Sequence, residues 1–118
     1  MYYKTKTIVV RYGETDQMGF VHHSNYLKYF ELARIEWLLD LGISYAAMEL
    51  DGILMPVVSA RVKFKIPLLF GDNFNVKISL KKEPKATLEL DYIIVNQKNE
   101  IICTGNTVLA FSSSIKKR

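Results

Sequence analysis

Hydrophobic residues recur along this chain with two different periods, and the first of them is helical. One apolar face runs through Tyr26, Phe30, Ala33, Trp37 and Leu41, and other leucines spread apolar character around the remaining sides. The pattern predicts one long helix that begins at Ser24 and Asn25, whose side chains suit capping, and ends at Gly42. A helix that is apolar on most sides is normally surrounded by protein, so we expect this helix to be buried.

The rest of the chain alternates between apolar and polar residues, which is the period of a strand with one buried face. Residues 5–12 are rich in β-branched side chains and predict a first strand. Four more strands are predicted over residues 58–66, 74–80, 86–94 and 100–112, separated by turn sequences, with Gly105 as a candidate β-bulge.

The order of these elements is a strand, a loop, a long buried helix and then four strands in a meander. An antiparallel sheet that has to cover one very apolar helix is expected to curl around it. The sequence therefore predicts the α+β class, with about five antiparallel strands wrapped around a long central helix, in a single domain over residues 1–118.

Composition and charge narrow the class of protein further. Hydrophobic residues make up 49% of the 118 residues and charged residues 24%, which excludes intrinsic disorder. The net charge of +4 suits an anionic partner such as nucleic acid, a membrane surface or a phosphate-bearing small molecule. However, the strand aromatics Phe64, Phe74 and Tyr92 fall on apolar faces, and no stretch approaches the roughly 20 apolar residues of a membrane helix. We therefore expect neither a nucleic-acid partner nor an integral membrane segment.

The single cysteine, Cys103, makes an intrachain disulfide impossible and fits a reducing compartment. It lies in an apolar stretch, so we interpret it as a packing residue and not as a nucleophile. The first residues of the chain lack the hydrophobic region of a signal peptide. The expected location is the cytoplasm.

The segment before the long helix carries the residues that suggest chemistry. Glu14 and Asp16 place two carboxylates in a loop, and Gly19 allows the connection to fold back toward the start of the helix. Unpaired N–H groups at a helix N-terminus can stabilise an oxyanion, and a carboxylate aimed at the same point can act as a nucleophile or a general base. Such a pair suffices for acyl transfer, although an aspartate in this position is also a common turn or cap residue.

A family resemblance favours the catalytic interpretation. Residues 11–34, RYGETDQMGFVHHSNYLKYFELAR, resemble the signature of the 4-hydroxybenzoyl-CoA thioesterase family, in its branch of small bacterial acyl-CoA thioesterases. The matching positions are Tyr12, Glu14, Thr15, Asp16, Gly19, Val21, His23, Tyr26, Leu27, Tyr29, Phe30, Glu31, Ala33 and Arg34. The resemblance implies the hotdog fold, in which a sheet wraps a central helix, and hydrolysis of an acyl-CoA thioester to a carboxylic acid and CoA.

The same resemblance implies roles for individual residues. Asp16 would be the catalytic carboxylate, either attacking the carbonyl or activating water, and the backbone N–H at or near His23 would polarise the thioester carbonyl. Glu14, Gly19 and Tyr26 would support the site. We expect no cofactor and no metal, because the adjacent histidines His22 and His23 should point apart and lack a further ligand at suitable spacing.

Substrate and subunit contacts are predicted less directly. Phe20, Arg61, Lys63 and Lys65 are candidate substrate-binding residues, and the three basic ones could meet the phosphates of CoA or could simply be solvated. The thioester partner is expected to be acyl-CoA or an acyl carrier protein. Glu31 and Arg34 are spaced for an ion pair on the helix surface or for a contact between subunits.

The large apolar fraction also predicts a homo-oligomer, a dimer or a homotetramer, with the active site at a subunit interface. The alternative function is a non-catalytic hotdog module that binds acyl thioesters or is linked to an acyl carrier protein. The dehydratase branch of the fold is disfavoured, because its usual Asp-x-Asn-x-x-His motif is absent.

Overall fold

The computed structural model describes residues 1–113 of the chain, and one long helix lies across the inner face of an antiparallel sheet. The elements in chain order are β1 (Tyr2–Lys4), β2 (Ile8–Val9), a 3-10 turn (Tyr12–Glu14), α1 (Ser24–Asp40), α2 (Tyr45–Leu50), β3 (Ile53–Leu54), β4 (Val57–Phe64), β5 (Asn73–Leu80), β6 (Thr87–Asn96), β7 (Ile101–Ala110) and β8 (Ser112–Ser113). The predicted α+β architecture is confirmed.

The long helix α1 occupies the predicted residues, but its first turn is capped differently from the prediction. His23 is the N-cap and makes no capping hydrogen bond with its side chain. Ser24 Oγ contacts His22 Nδ1 at 2.9 Å, and Asn25 Nδ2 donates to the Glu14 carbonyl at 2.9 Å, so neither predicted cap serves this helix. Gly42, with a φ of 83°, follows the helix end as expected. In residues 1–113 no helix is both long and apolar enough to span a membrane.

One face of α1 forms the centre of the hydrophobic core. Its buried apolar residues are Tyr26, Tyr29, Phe30, Ala33 and Trp37. The Phe30 ring stacks on Tyr92 of β6, with ring centroids 4.3 Å apart. The expectation that protein surrounds the helix is wrong within one chain, because Leu32 and Leu39 on its other side are 49% and 59% exposed.

The strand order differs from the predicted four-stranded meander. The main sheet runs β1-β5-β6-β7-β4, with β2 also pairing with β5, and β3 pairs only with β8. Only β5, β6 and β7 form the meander, because β4 lies at the far edge beside β7. Alternation of apolar residues shows which face of a strand is buried, but it does not show which strands pair with one another. The connection over residues 65–72 can reach about 27 Å, whereas crossing three strand spacings needs only about 14 Å.

The predicted first strand over residues 5–12 is also wrong, because only Ile8–Val9 of that range forms a strand, and an interruption over residues 5–7 separates it from β1, which lies before the range. At the interruption Thr5 Oγ1 accepts a hydrogen bond from the Val76 N–H at 3.0 Å, and Asn75 Nδ2 donates to the Thr5 carbonyl at 2.9 Å. Side chains therefore replace part of the backbone ladder. Tyr12 belongs to the 3-10 turn that follows.

Strand β4 was expected to bury one face, and in a single chain it does not. Val57, Val58 and Phe64 are 47%, 61% and 53% exposed. The reason is position: β4 pairs with β7 on one side and has no strand on its other side among the described residues. It is therefore an exposed apolar edge strand, a feature that natural proteins usually cover.

Gly105 is not a β-bulge, because Val62, Gly105 and Tyr92 pair in regular register across three strands. The reason for glycine is steric. A Cβ atom at this position would collide with the ring of Phe30, which lies directly on the Gly105 backbone. The register shifts of the sheet lie elsewhere, between Val57 and Ser59 and between Ile94 and Val95.

Candidate active site

The loop before α1 folds back on itself and brings Asp16 close to the start of the helix. Thr15 and Val21 form an antiparallel bridge, and the Asp16 N–H donates to the Phe20 carbonyl at 2.7 Å. The Gly19 N–H closes the tip by donating to the Asp16 carbonyl at 3.0 Å. Gly19 has a φ of 84°, a conformation that a residue with a side chain rarely adopts, which explains the glycine.

The Asp16 side chain is held by this loop while part of it stays available. Its Oδ1 accepts hydrogen bonds from the backbone N–H groups of Met18 and Phe20, at 2.8 and 3.2 Å. The other carboxylate oxygen has no donor within residues 1–113, and the residue is half-buried. The carboxylate is thus oriented through one oxygen and can react through the other.

The first backbone N–H groups of α1 are mostly occupied, with one exception. The His22 N–H donates to the Glu14 carbonyl at 2.9 Å, and the Ser24 N–H donates to His22 Nδ1 at 3.2 Å. The Asn25 N–H is also taken, by the His22 carbonyl. The His23 N–H finds no acceptor in the described part of the chain. It is therefore a free donor at the positive end of the helix.

Asp16 and His23 line one cleft of about 280 Å³, between the Asp16 loop, the start of α1 and the segment after β4. Its lining residues are Asp16, Phe20, Val21, His23, Tyr26, Phe64, Lys65, Ile66 and Pro67. The two loops are tied together where Phe20 pairs with Leu69 in an isolated bridge. The cleft therefore has mostly apolar walls and a few polar groups, as small-molecule sites do.

Tyr26 forms part of the floor of this cleft. Its hydroxyl accepts a hydrogen bond from the Leu68 N–H at 3.4 Å, and its ring meets that of Phe64 edge-on at 5.0 Å. Burial raises the pKa of the Tyr26 hydroxyl, so this group stays protonated at neutral pH. It therefore shapes the cleft and can donate a hydrogen bond, but it supplies no base.

The three basic residues predicted to bind substrate do not lie together. Lys65 lines the cleft, whereas Arg61 and Lys63 lie beside Asp91 and Asn106 in a separate depression of the sheet. The cause is local, because the N–H groups of Lys65 and Ile66 both donate to the Ile102 carbonyl, each at 3.0 Å. Two residues of one strand, Lys65 and Ile66, thus lie opposite the single residue Ile102, which is the geometry of a β-bulge. A bulge breaks the alternation of side chains, here after β4.

Glu14 is bound into a network next to the site. Its carboxylate accepts hydrogen bonds from the Arg11 N–H, the Arg11 guanidinium and the Tyr29 hydroxyl, at 2.9, 3.2 and 2.9 Å. Burial by itself raises the pKa of Glu14, but these bonds outweigh it, and the pKa lies below its ordinary value. The charge of Glu14 is therefore engaged in tying the 3-10 turn to α1.

The expectation that His22 and His23 point apart is wrong, because their ring centroids are 4.1 Å apart. The two rings are tilted by 30° to each other, and His22 Nδ1 is hydrogen bonded to Ser24 Oγ. Within residues 1–113, no three His, Cys, Asp or Glu side chains come together in a way that could hold a metal ion. Cys103 is buried, and burial raises the pKa of its thiol to about 12.

Comparison with known proteins identifies the family. Residues 10–117 match the family described as the Thioesterase-like superfamily. The chain belongs to the Thioesterase-like superfamily. Within it, the chain is 47% identical over 101 residues to the "Putative acyl-CoA thioesterase YneP" of Bacillus subtilis, covering 86% of this chain and 73% of that protein.

Solved structures of thioesterases show the same fold. A DHNA-CoA thioesterase from Staphylococcus aureus superposes with a TM-score of 0.92 at 36% identity, covering 98% of this chain and 76% of that one. The BH1999 gentisyl-coenzyme A thioesterase superposes with a TM-score of 0.86 at 26% identity, covering 96% of this chain and 89% of that one. This member of the superfamily therefore has the hotdog fold that the sequence resemblance implied.

The structure of this thioesterase-like protein places Asp16, Phe20, His23, Tyr26 and Lys65 at one cleft, with Gly19 and Glu14 in the loop behind it. Sequence reasoning missed Phe64, Ile66 and Pro67 as a wall of the cleft and Tyr29 as the donor to Glu14. Phe64 was interpreted as core because it sits on the apolar face of its strand. The proline that follows, Pro67, was the available signal that this segment leaves the sheet.

Proposed function

We propose that the chain hydrolyses an acyl-CoA thioester to a carboxylic acid and CoA, with Asp16 as the catalytic carboxylate and the His23 N–H as the oxyanion donor. One observation carries the proposal: Asp16, a half-buried residue with one free carboxylate oxygen, and His23, whose N–H at the helix start has no acceptor within residues 1–113, line the same cleft. Acyl transfer needs these two elements, because negative charge develops on the carbonyl oxygen as a nucleophile adds.

Two reaction paths use the same groups. In the first, Asp16 takes a proton from water while the resulting hydroxide adds to the thioester carbon, and the His23 N–H donates to the carbonyl oxygen as it becomes negative. The C–S bond then breaks, and the CoA thiolate leaves and takes up the proton. In the second, Asp16 itself adds to the carbon, CoA leaves, and water hydrolyses the resulting anhydride. In both paths the hydrogen bonds from Met18 and Phe20 hold the carboxylate in place.

The acyl group and the branch of the superfamily are the finer part of this proposal. We place the chain in the 4-hydroxybenzoyl-CoA thioesterase family on the motif of residues 11–34, and the similar structures include thioesterases named for aromatic acyl-CoA substrates. The aromatic rings of Phe20, Tyr26 and Phe64 in the cleft suit a flat aromatic acyl group. Lys65, at the mouth, is positioned to meet a phosphate of CoA.

The cleft lies at the exposed edge of the sheet, which supports a dimer as the active form. Phe64 and Ile66 line it while remaining 53% and 40% exposed, and they continue the bare edge strand β4. A second protomer paired along β4 would cover these side chains and close the cleft from water. We propose this dimer, with further association to a homotetramer, acting in the cytoplasm.

The experiment is a panel of aromatic and aliphatic acyl-CoA thioesters, assayed by release of free thiol, with binding of the same compounds measured in parallel. We expect turnover, with aromatic acyl groups preferred over saturated chains of similar size. The alternative function, a non-catalytic module that binds acyl thioesters or acyl carrier protein, predicts binding without thiol release. Tight binding of several acyl-CoA compounds with no turnover of any would overturn the proposal.

A further inference from the structure

Arg34 is a permanently charged group buried without a counter-charge. The residue is 6% exposed, and its Nη1 donates to the Tyr92 hydroxyl at 3.0 Å. That hydroxyl is in turn hydrogen bonded to Thr107, so the guanidinium is held in place by neutral groups. Its Nε is buried and has no acceptor, and the ion pairs found within residues 1–113 do not include Arg34. Burial of an unpaired charge is strongly unfavourable, so we expect an anion beside the Arg34 guanidinium.

The side chain reaches a cavity of about 200 Å³ between α1 and the edge strand β4. The lining residues are Leu27, Lys28, Glu31, Arg34, Val57, Ala60 and Thr107. Glu31 is the one carboxylate among them. It is exposed, lies one turn before Arg34, and forms no ion pair with Arg34 in the described part of the chain. Glu31 and Arg34 thus line the same cavity without forming an ion pair with each other.

The surroundings of this cavity indicate what covers it. Leu27 and Val57 in its lining are 44% and 47% exposed, and the next residue of the edge strand, Val58, is 61% exposed, which makes an apolar rim on the same edge as the cleft. A small anion would leave this rim in water, whereas a second copy of the chain would bury it. A two-fold axis beside the cavity makes every contact reciprocal, so an acid and a base on one lining become two pairs across the axis.

We propose that in the dimer Arg34 pairs with Glu31 of the partner subunit, so that two reciprocal ion pairs join α1 of one protomer to α1 of the other. This inference rests on the dimer included in the proposed function. The hydrogen bonds to Tyr92 and Thr107 pre-orient the guanidinium, and the apolar rim keeps water from the pair. The charge of Arg34 is unfavourable when it is buried and unpaired in one chain, whereas in the dimer it forms a specific contact between two chains.

The first test is Glu31→Gln, which keeps the shape of the side chain and removes its charge. Because Glu31 is exposed in one chain, the variant should fold, and its dimer dissociation constant, measured by sedimentation equilibrium, should rise at least ~30-fold. Glu49→Gln, an exposed glutamate on α2, is the matched control and should leave the constant unchanged. A Glu31→Gln dimer as tight as the wild type, within about threefold, would overturn the proposal.

A mixing experiment separates contacts between chains from contacts within one. Glu31→Arg leaves only positive groups in the cavity, at positions 28, 31 and 34, and Arg34→Glu leaves two carboxylates beside Lys28. Co-expressed, the two should form heterodimers in preference to either homodimer, because both reciprocal pairs are then of opposite charge. If the Arg34→Glu chain does not fold alone, the dissociation constant of the Glu31→Arg homodimer is the test. A Glu31→Arg homodimer as tight as the wild-type dimer would contradict the proposal.

Inorganic phosphate tests the competing occupant, and thiol release in the same samples tests the proposed function. Phosphate that raises the melting temperature of wild type and Glu31→Gln equally, while dimer affinity is unaffected by Glu31→Gln, would assign the cavity to a small anion and overturn the inference. Active samples with an unchanged Glu31→Gln dimer would overturn only this inference. Samples that dimerise as described but release no thiol would overturn only the proposed function.

Discussion

Lys63 and Lys65 are two residues apart in the sequence but lie in different surroundings. Lys63 lies in the depression beside Asp91, and the bulge after Phe64 turns Lys65 into the cleft. At the scale of the residue, the different placement of these two lysines depends on the carbonyl of Ile102, which accepts from the N–H groups of both Lys65 and Ile66. Strict alternation would have kept the two lysines on the same face.

This difference predicts separate effects of charge reversal. Lys65→Glu should raise KM for acyl-CoA about tenfold while kcat changes little, because a phosphate contact far from the carbonyl binds ground and transition states alike. Lys63→Glu, with the same change of charge, is the control and should leave KM near the wild-type value. The effect of Lys65→Glu should shrink as salt is added. Equal effects of the two variants on KM would show that Lys65 makes no specific contact with CoA and is only a solvated surface residue.

Gly105 makes a residue-scale prediction about stability. Gly105→Ala places a methyl group where the Phe30 ring lies, and forcing atoms into a packed core costs about 1–3 kcal/mol. Urea unfolding should show that loss of stability. Gly13→Ala is the matched control, because a Cβ atom at Gly13 meets nothing within 4 Å. Equal unfolding midpoints for the two variants would show that Phe30 can move away at little cost.

At the scale of the element, the start of α1 presents a backbone donor that the proposed mechanism uses. Ser24 and Asn25, the residues predicted as caps, are bonded elsewhere, and the N–H of His23, a residue that lines the cleft, has no acceptor among residues 1–113. The position of the helix was predictable from its apolar period and from Gly42. The free N–H at or near His23 was expected only from the family resemblance, because the local pattern does not show how the loop over residues 14–22 takes up the neighbouring donors.

His23→Pro tests this donor directly, since proline has no N–H. The φ of His23 is −55°, which suits a proline ring, and no hydrogen bond to protein is lost in the described part of the chain. We expect kcat to fall about 10²- to 10³-fold, the usual cost of losing one oxyanion donor. His23→Ala removes the imidazole and keeps the N–H, so it should retain most of the activity. Circular dichroism should show that both variants keep the fold, and equal kcat values would place the oxyanion elsewhere.

At the scale of the whole molecule, the sheet order leaves apolar surface that one chain cannot cover. The sequence predicted the four later strands, β4 to β7, and their turns closely, since alternation and turn residues are local signals. It could not place β4 at the edge, because pairing of Val62 with Gly105 is decided by packing against α1 and by the length of the connection over residues 65–72. The exposed side chains of Val58 and Phe64 follow from that placement.

The dimer predicted from this edge should be required for activity. Dilution should lower specific activity in step with the dimer fraction, because each cleft is closed by the neighbouring protomer. Sedimentation at micromolar protein gives the fraction, and thiol release at the same concentrations gives the activity. A fully active species of 13.6 kDa would show that one chain completes the site by itself.

The most direct test of the account is the turnover of Asp16→Asn. Asparagine keeps an oxygen that can accept the hydrogen bonds from Met18 and Phe20, so the loop should persist, but the amide is a poor nucleophile and a poor base. We predict that kcat falls at least ~100-fold, while the affinity for CoA and the melting temperature stay near those of the wild type. Asp51→Asn, at the end of α2, should behave as wild type. Near-wild-type turnover by pure Asp16→Asn would contradict the central claim that this carboxylate carries the hydrolysis.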